Sequence, residues 1–346
     1  MPSEIVKCVA GAGKTTYSLK FLSTHKNGLY LAFTNSVVNE ISDKGFLSKT
    51  IDSLFSSYII PKFIRQIPIT KGIKNIEYIN SGNLPKFLIG ITQLHILPKT
   101  GQIYNRQTPT AFSLYDEHCT ILNDKSKKSN LNFVKCIFNE NSLRLTDSLR
   151  SELSTFIVNA FPDQLLQLLK LRFDYIIIDE AQDLNGYKEI FIELLEKSDI
   201  PIVILGDDNQ NIINNSGQWF KNKTATRVET TSKRCPEPIC KWIRDELGIE
   251  IYGRRDLSGQ YHKIPSSRVL EYNDGLRYLL FHAKQGKTIT AIIDQWKGPI
   301  NTIKTAKGST INQDIVIIGN SMSKKSLYAA ITRTNKNAYS TIVKII

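Results

Sequence analysis

A glycine-rich segment near the start of the sequence has the residue types and spacing of a phosphate-binding loop. The segment "CVAGAGKTT" (8–16) follows the predicted strand "EIVKCV" and leads into the predicted helix "TTYSLKFLSTH". Glycines between a strand and a helix let backbone N–H groups face an anion, and the helix N-terminus adds partial positive charge. The strict pattern has glycine where Cys8 stands, but the strand–turn–helix context predicts ATP or GTP binding rather than a chance turn. The predicted nucleotide-binding residues are Gly11, Ala12, Gly13, Lys14, Thr15 and Thr16.

A second segment, "YIIIDEAQDLN" (175–185), ends an apolar run in acidic residues. A run without polar alternation is typical of a strand buried on both faces, and open α/β sheets bind ligands at the carboxyl ends of such strands. A lone Asp–Glu pair more often marks a strand that ends in solvent. Beside a P-loop, however, the two segments together supply what a nucleoside triphosphate needs. Lys14 reaches the β- and γ-phosphates, Thr15 and Asp179 bind Mg²⁺, and Glu180 is the general base for the attacking water.

The composition describes a globular chain with a strong positive charge. Of 346 residues, 41% are hydrophobic and 22% are charged, and the net charge is +13. Such a field attracts polyanions, with nucleic acid as the first candidate; a Lys- and Asn-rich composition without a specific partner is the alternative. No apolar run approaches the roughly 20 residues that span a bilayer, so no membrane association is expected. Five cysteines without CxxC spacing indicate reduced thiols, a cytoplasmic location and no zinc site.

Strand and helix signals alternate in two separate blocks, which predicts an α/β fold with two parallel sheets. The first block covers residues 1–56 and 150–222 and includes the helices "SELSTFIVNAF" and "PDQLLQLLKL" and the strand "IPIVILGD". Between its two parts, prolines punctuate residues 57–149, where we predict an inserted subdomain of irregular or helical structure. The second block, 225–346, contains the predicted helices "PEPICKWIRDEL" and "KKSLYAAITR" and the predicted strands "TITAII", "DIVIIG" and "AYSTIVKII".

Eight segments, in sequence order, resemble the motifs of superfamily 1 helicases of the UvrD/Rep type. They are "AGAGKTT", "LAFTNSVVNEI", "TIDSLF", "FDYIIIDEAQDL", "VILGDDNQ", "TTSKRCPEPI", "TIKTAKGSTINQDIVIIG" and "LYAAITRTNK". The resemblance implies two RecA-like P-loop NTPase domains with parallel sheets, formed by residues 1–56 plus 150–222 and by residues 225–346. Domains of this type close on one nucleotide and couple its hydrolysis to movement along single-stranded nucleic acid.

The resemblance also implies roles for residues outside the P-loop. Besides Glu180, the implied catalytic residues are Gln210, which links the γ-phosphate to the strand-binding surface, and Arg234 and Arg333, which are arginine fingers. In "TIDSLF", Asp52 stands where the family usually has histidine. The implied nucleic-acid-binding residues are Phe33, Thr34, Asn35, Thr50, Ser53 and Thr302, with Lys304 and Lys307 as further phosphate contacts.

The sequence departs from the family pattern where bases are contacted. No glutamine lies well upstream of the P-loop to read adenine, and Lys233 stands where the family has an aromatic residue that stacks on it. We therefore predict weak discrimination between ATP and GTP. The segment "NIINNSG" has Ile213 and Asn215 where the family has base-stacking aromatics; Trp219 and Phe220 follow, either as substitutes or as packing residues.

These observations leave three classes of function open. The leading one is an ATP-dependent single-stranded nucleic-acid translocase or helicase, with DNA favoured over RNA, Mg²⁺ as cofactor and GTP as an alternative nucleotide. The second is a nucleotide-switched NTPase subunit of a phage-defence or viral replication assembly, acting on a protein partner. The third is a viral superfamily 1 RNA helicase, suggested by "KGST" in the fifth motif. Stimulation of hydrolysis by DNA, by RNA or by neither separates the three classes.

Overall fold

The structure is a computed structural model, and it describes residues 3–24, 26–67, 73–78, 94–96, 103–105, 108–112, 138–139, 142–212, 218–282, 286–319, 322–333 and 340–345. The chain divides into two compact units. Unit 1 comprises Met1–Pro2, Asn27–Ile176 and Asn185–Ile202, and unit 2 comprises Ser3–Lys26, Ile177–Leu184 and Val203–Ile346. The P-loop and the acidic segment therefore pack with the C-terminal part of the chain. The domain boundaries inferred from the motifs differ from this division and remain a prediction.

The strands are numbered in chain order. They are β1 (Glu4–Cys8), β2 (Gly28–Ala32), β3 (Ser48–Thr50), β4 (Asn75–Tyr78), β5 (Leu94–Ile96), β6 (Ile103–Asn105), β7 (Thr108–Phe112), β8 (Phe138–Asn139), β9 (Ser142–Leu145), β10 (Tyr175–Ile178), β11 (Ile202–Gly206), β12 (Arg227–Glu229), β13 (Thr231–Pro236), β14 (Tyr252–Arg254), β15 (Gly259–Ile264), β16 (Tyr278–Phe281), β17 (Ile300–Thr302), β18 (Ile315–Ile318) and β19 (Ser340–Ile345).

The α-helices are numbered in the same way. They are α1 (Lys14–Ser23), α2 (Asn35–Ser42), α3 (Ile51–Leu54), α4 (Ile60–Phe63), α5 (Asp147–Ala160), α6 (Pro162–Lys170), α7 (Tyr187–Glu196), α8 (Gln218–Asn222), α9 (Glu237–Leu247), α10 (Gly286–Gln295), α11 (Ile303–Ala306) and α12 (Lys324–Ile331). A π-helical turn, Phe55–Ile59, joins α3 to α4, and 3₁₀ turns cover Ala181–Asp183, Asp208–Gln210 and Ser266–Tyr272. Among the helices in the part of the chain that the structure describes, none is long and apolar enough to cross a membrane.

Unit 2 is built around parallel strands. In it, β1 pairs in parallel with β11 on one side and with β12 on the other. A five-stranded sheet has the order β15-β19-β18-β16-β17, and each of its neighbouring pairs is parallel. The central strand β18 is buried at every residue, as its run of four β-branched residues predicts. These sheets confirm the predicted α/β fold with parallel strands.

One predicted strand of unit 2 is a helix. The segment "TITAII" was expected to extend as a strand, but it forms the middle of α10. Ile289 and Ile292, three residues apart, are buried against the five-stranded sheet, and Ile293 and Trp296 pack partly against the same core. This spacing places all four side chains on one helical face, which burial in the core favours over the local β propensity of Thr and Ile.

Unit 1 combines a short parallel pair, β2 with β3, with a group of helices. The segment "TIDSLFSSYI" (50–59) forms α3 and continues through the π-helical turn into α4. The ring of Phe55 in that turn contacts the edges of Tyr187 and Phe191 on α7, at centroid distances of 4.9 and 5.0 Å. These fully or nearly buried aromatic contacts fix α3 against α7.

The region predicted as an irregular or helical insertion contains strands in the residues that the structure describes. Strand β9 pairs in parallel with β4 and antiparallel with β8, and β5, β6 and β7 form a separate antiparallel sheet. In β9 the buried Leu143 and Leu145 alternate with Ser142 and Arg144. This period of two is the ordinary signal of a half-buried strand. Over only four residues, however, the alternation does not distinguish a strand from an irregular segment in the sequence.

Candidate nucleotide site and strand-binding groove

The loop between β1 and α1 has the backbone conformation of a phosphate-binding loop. Gly11 and Gly13 have positive φ angles of 73° and 97°, a region that other residues rarely adopt. Gly13 is the N-cap of α1, and its carbonyl accepts a hydrogen bond from the backbone N–H of Tyr17 at 2.9 Å. A Cβ on Gly11 would lie 2.6 Å from the hydroxyl of Ser232 and 2.8 Å from Cβ of Arg234. The loop therefore requires glycine both for its conformation and for its contact with β13.

The other predicted loop residues lie at the start of the helix. The N–H of Ala12 donates to the carbonyl of Val9 at 3.2 Å, which closes the turn. Thr15 and Thr16 are in the first turn of α1, with Thr15 half-buried and Thr16 exposed. Cys8, at the position of the missing glycine, is buried, and burial raises the pKa of its thiol to about 12. Cys8 is therefore an uncharged packing residue at neutral pH.

Lys14 and Glu180 form an ion pair at the mouth of this loop. The Nζ atom of Lys14 lies 3.3 Å from Oε2 of Glu180, and both side chains are largely buried. Burial raises the pKa of the Glu180 carboxyl, but the positive charges of Lys14 and Lys307 outweigh this, and the pKa falls to about 2. Burial likewise lowers the pKa of Lys14, and the carboxylates of Glu180 and Asp179 raise it by more. Both groups are therefore charged at neutral pH.

Glu180 has an unusual backbone conformation. Among the residues that the structure describes, it is the one non-glycine residue with positive φ, at 55°. Its N–H donates to Oδ1 of Asp179 at 2.8 Å, and Asp179 is itself 3% exposed. Non-glycine residues in this region cost about 1–3 kcal/mol and are concentrated at functional sites. The turn aims the carboxylate of Glu180 at Lys14.

Gln182 connects Glu180 to the end of the neighbouring strand β11. Its side-chain amide donates to Oε2 of Glu180, and its carbonyl accepts from the backbone N–H of Asp207 at 2.9 Å. Gln182 is completely buried. The sequence does not indicate this role, because Asp207 is 25 positions away from Gln182.

A buried tyrosine connects the sixth motif to the P-loop. The hydroxyl of Tyr328, on α12, donates to Oδ2 of Asp207 at 3.0 Å and accepts from the N–H of Ala10 at 2.9 Å. Tyr328 and Asp207 are at most 1% exposed. Burial raises the pKa of Asp207 above its usual value, although Lys14 and a hydrogen bond from Gln210 act in the opposite direction. Sequence reasoning missed this contact, because its partners are 121 and 318 positions apart.

The structure brings Gln210 and Arg333 together. The guanidinium Nη2 of Arg333 donates to Oε1 of Gln210 at 2.7 Å, and its Nε donates to the carbonyl of Ala329 at 2.9 Å. Gln210 also donates to Asp207 at 2.8 Å. Burial and the positive charge of Arg234 lower the pKa of Arg333 to about 10, so it remains a cation at neutral pH.

Arg234 is held by residues near the end of α12. Its Nη2 donates to the carbonyl of Thr332 at 2.6 Å, and its Nη1 donates to the hydroxyl of Thr310 at 3.2 Å. Its Nε is buried and has no hydrogen-bond partner in the described residues. The strand position next to Gly11 places this cation along the P-loop, as the fourth motif implies.

The predicted Mg²⁺ ligands are compatible with a metal that binds together with a nucleotide. The described residues contain no cluster of three or more His, Cys, Asp or Glu side chains that could hold a metal alone. Mg²⁺ usually takes one or two protein carboxylates and completes its shell with water and phosphate oxygens. Thr15 and Asp179 are oxygen donors of the right type.

Lys307 lies elsewhere than expected. Its Nζ is 2.6 and 2.5 Å from the two carboxylate oxygens of Asp183, in the acidic segment, and both side chains are about 90% buried. Burial raises the pKa of Asp183, and Lys307 opposes this. Lys307 is therefore engaged by a protein carboxylate in this structure rather than presented for a strand phosphate.

A groove of about 550 Å³ in unit 1 contains four of the predicted strand-binding residues, Phe33, Asn35, Thr50 and Ser53. Thr34 caps α2, with its hydroxyl 3.5 Å from the N–H of Val37. The lining also includes five residues that carry no predicted strand-binding role: Asp52, Ser56, Tyr78, Asp147 and Arg150.

Asp52 is the centre of a hydrogen-bonded cluster beside this groove. Its carboxylate accepts hydrogen bonds from the hydroxyl of Tyr187 at 2.6 Å and from Nζ of Lys188 at 2.7 Å, and it forms an ion pair with Nη2 of Arg150 at 3.2 Å. Burial raises the pKa of Asp52, but the two cations and the hydrogen bonds outweigh it and lower the pKa below its usual value. Nζ of Lys188 also lies 5.3 Å from the ring centroid of Phe33.

The other residues considered for strand binding are not among those that line this groove. Thr302 belongs to unit 2, where its hydroxyl accepts from the N–H of Thr305 at 3.0 Å and caps α11. Ile213 and Asn215 lie outside the described residues. Phe220 is completely buried, so it is a packing residue and not a substitute base-stacking platform. Trp219 is half-buried, with Nζ of Lys223 4.5 Å from its ring.

Comparison with known protein families gives one match, which covers the middle of the chain. Residues 62–217 match the family model of the UvrD/REP helicase N-terminal domain, which confirms the resemblance drawn from the motifs. No curated protein matches the sequence.

Several solved helicase structures are similar to the chain at low sequence identity. Nonstructural protein 10 of an arterivirus, a helicase, matches with a TM-score of 0.45 and 12% identity, over 99% of this chain and 59% of that protein. Unliganded Pif1 from Bacteroides sp. matches with a TM-score of 0.41 and 14% identity, over 98% of this chain and 88% of that protein. The DUF1998 helicase MrfA bound to DNA matches with a TM-score of 0.41 and 12% identity, over 99% and 44%. This chain thus spans less than two thirds of the length of the arterivirus and MrfA proteins.

Proposed function

We propose that this chain, with its match to the UvrD/REP helicase N-terminal domain, is an ATP-dependent translocase or helicase that acts on single-stranded nucleic acid. DNA is the favoured strand. One observation carries the proposal: the P-loop lysine, Lys14, lies 3.3 Å from Glu180, beside a network that joins Gln210 to Arg333. A phosphate-binding loop, a water-activating carboxylate and a cation from the sixth motif are the groups that NTP hydrolysis needs.

In the proposed reaction, phosphate oxygens of the nucleotide replace Glu180 as the partner of Lys14. Glu180 is then free to accept a proton from the attacking water, which bonds to the γ-phosphorus as the bond to the β-phosphate oxygen breaks. Because the pKa of Glu180 is about 2, the carboxylate is already deprotonated at neutral pH. General bases of this kind typically contribute about 10²- to 10⁴-fold.

Thr15 and Asp179 would hold Mg²⁺ together with the phosphates. When bound, the ion neutralises charge on the phosphate oxygens during transfer.

Arg234 and Arg333 serve as the cations that stabilise charge in the transition state. Such fingers typically contribute about 10³- to 10⁵-fold to NTP hydrolysis. Arg333, in the sixth motif, is hydrogen-bonded to Gln210, in the third motif, at 2.7 Å. A movement of the Gln210 side chain would therefore move Arg333. That bond is the proposed link between the state of the phosphate and the position of Arg333.

The groove in unit 1 is the proposed site for part of the strand. Phe33, Asn35, Thr50 and Ser53 line it, and its hydroxyl and amide groups suit phosphate and sugar contacts that carry no sequence information. Phe33 offers a face on which any base can stack. The net charge of +13 favours association with a polyanion.

One assay tests the proposal against its alternatives. ATP hydrolysis by the purified chain is measured with Mg²⁺ and with single-stranded DNA, single-stranded RNA or no nucleic acid. Stimulation by DNA greater than that by RNA is the expected result. Stimulation by RNA alone favours an RNA helicase, and hydrolysis unaffected by either favours a nucleotide-switched subunit with a protein partner. Absence of hydrolysis under all three conditions contradicts the proposal that the chain is an NTP-hydrolysing enzyme.

A further inference from the structure

Lys233 occupies the position at which the family motif has a base-stacking aromatic, yet it is placed against the phosphate-binding loop. We propose that Lys233 binds phosphate oxygens of the nucleotide, so that this chain recognises the polyphosphate of an NTP and is largely indifferent to the base. The inference rests on the proposed nucleotide site and adds a specificity-determining residue to it.

The backbone of Lys233 is joined to the loop. Its N–H donates to the carbonyl of Gly11 at 2.8 Å, which fixes β13 alongside the P-loop. Neighbouring residues of a strand point to opposite faces, so Lys233 and Arg234 diverge from this point. Arg234 is engaged by Thr332 and Thr310, whereas the side chain of Lys233 follows the other face.

The side chain of Lys233 runs along Gly13, the residue that immediately precedes Lys14. A Cβ built on Gly13 would lie 3.4 Å from Nζ of Lys233, 3.5 Å from its Cδ and 3.7 Å from its Cε. Lys233 is exposed, and among the described residues its ammonium forms no hydrogen bond or ion pair. A cation is thus held beside the loop without a protein anion to neutralise it.

The surroundings of Lys233 are rich in cations. A cavity of about 220 Å³ next to the loop is lined by Lys233 together with Lys14, Lys20 and Arg227. Its acidic residue, Glu229, is hydrogen-bonded to Arg227 at 2.7 Å, and Lys14 is paired with Glu180, so neither contact involves the ammonium group of Lys233. Because ammonium groups bind phosphate as point charges without reading a base, this composition suits a polyphosphate.

The test compares Lys233→Met with Lys233→Arg and with a matched surface control, Lys241→Met. Lys241 is exposed on α9 and pairs only with Asp245 among the described residues. Equilibrium binding is measured for MgATP, MgGTP, MgCTP and inorganic tripolyphosphate. We expect Lys233→Met to weaken all four about tenfold, since a hydrogen bond to a charged group at an exposed site contributes at the lower end of the usual range. Lys233→Arg should stay within about threefold of the wild type, and Lys241→Met should not differ from it.

The outcomes separate this inference from the proposed function. If the wild-type chain binds none of the four ligands, the proposed nucleotide site itself is wrong. If the wild type binds them and Lys233→Met binds equally well, only the role of Lys233 is overturned. A loss confined to ATP shows that Lys233 contacts the base and also overturns the inference. Thermal unfolding of Lys233→Met should match the wild type, because the side chain is exposed.

Discussion

At the scale of single residues, Glu180 combines a strained backbone with a carboxylate held from two sides. Lys14 approaches it at 3.3 Å, and the Gln182 amide donates to the same oxygen. The strain of a positive φ at a glutamate is tolerated because its neighbours over-determine the turn. We infer that the turn holds the Glu180 carboxylate in a fixed position until phosphate oxygens of the nucleotide replace it as the partner of Lys14.

Replacing Glu180 by glutamine tests its proposed role as general base. Glu180→Gln keeps the size and the hydrogen bonds of the side chain but removes the proton acceptor. We expect kcat for ATP hydrolysis to fall by at least about 100-fold while the dissociation constant for MgATP stays within about threefold. The control is Glu246→Gln, whose side chain is half-exposed and pairs with Lys263. Turnover near that of the wild type in Glu180→Gln would assign water activation to another group.

The hydroxyl of Tyr328 provides a second test at this scale. Tyr328→Phe leaves the ring in place but removes the hydrogen-bond partner of the buried Ala10 N–H and one of the donors to the buried Asp207, which keeps Gln210. Unsatisfied buried groups cost about 1–3 kcal/mol each, so we expect the free energy of unfolding to fall by about 2 kcal/mol. Urea unfolding measures this, with Tyr252→Phe as the exposed control. A variant as stable as the wild type would show that water replaces the hydroxyl.

The sequence predicts the chemical role of these residues better than it predicts which residues they contact. Local spacing is enough to predict a phosphate-binding loop from glycines, a lysine and a threonine at the start of a helix. It is also enough to predict a functional role for acidic residues at the end of an apolar strand. The pairs Lys307–Asp183 and Tyr328–Asp207 connect positions more than 100 residues apart. No local pattern encodes such contacts, so the sequence alone predicts neither the pairing of Lys307 with Asp183 nor the role of Tyr328.

At the scale of elements, Asp52 joins three helices of unit 1. It lies on α3, accepts hydrogen bonds from Tyr187 and Lys188 on α7, and forms an ion pair with Arg150 on α5. The histidine usual at this position supplies no negative charge, whereas the carboxylate neutralises the charges of Arg150 and Lys188. The substitution thus has a structural reason that the sequence alone did not supply.

Asp52→Asn should reduce the stability of the chain in a pH-dependent way. We expect a loss of about 1–3 kcal/mol at neutral pH, because the largely buried Lys188 loses this counter-charge and Arg150 keeps only Asp147. The pKa of Asp52 is lowered on folding, so its stabilising effect is present above the unfolded pKa of about 3.9 and disappears as the pH falls through the lower folded pKa. Denaturation curves at several pH values should therefore show the gap between variant and wild type closing below about pH 4. A gap that is constant with pH, or equal to that of the exposed control Asp199→Asn, would contradict this account.

The sequence of helix α10 carries the signals of both a strand and a helix. Thr and Ile favour strands locally, and only the spacing of Ile289, Ile292 and Ile293 favours a helix. In a six-residue window the two patterns are hard to separate. Burial of one face against the five-stranded sheet decides between them.

Truncating this face tests the helical assignment. Ile292 is 5% exposed, so Ile292→Ala should lower the free energy of unfolding by about 2–4 kcal/mol through lost burial and a cavity. Lys287→Ala, on the exposed side of the same helix, should change it by less than about 0.5 kcal/mol. Equal effects of the two substitutions in urea unfolding would argue against a buried isoleucine face.

At the scale of the whole molecule, the charge of +13 and the groove in unit 1 predict strand binding dominated by phosphates. We expect the logarithm of the association constant for single-stranded DNA to fall steeply with the logarithm of the salt concentration, with a slope of about −0.7 per neutralised phosphate. Fluorescence anisotropy with a labelled oligonucleotide measures this slope. A slope near zero would show that charge does not drive the association.

Phe33→Ala separates stacking from charge in the same measurement. It should weaken binding by about 1–3 kcal/mol, leave the salt slope unchanged and reduce strand-stimulated hydrolysis while basal hydrolysis stays intact. The matched control is Tyr252→Ala, an exposed aromatic of unit 2. Loss of basal hydrolysis in Phe33→Ala would mean that the groove contributes to the nucleotide site itself.

The nucleotide-site residues Lys14, Glu180, Gln210 and Arg333 all belong to unit 2, and the groove around Phe33 belongs to unit 1. In genetic terms, substitutions in the two places are expected to create two classes of allele. One class cannot hydrolyse ATP, and the other cannot bind single-stranded nucleic acid. A translocase of the kind proposed needs both capacities in the same molecule. Co-expressed alleles of the two classes should therefore fail to complement each other.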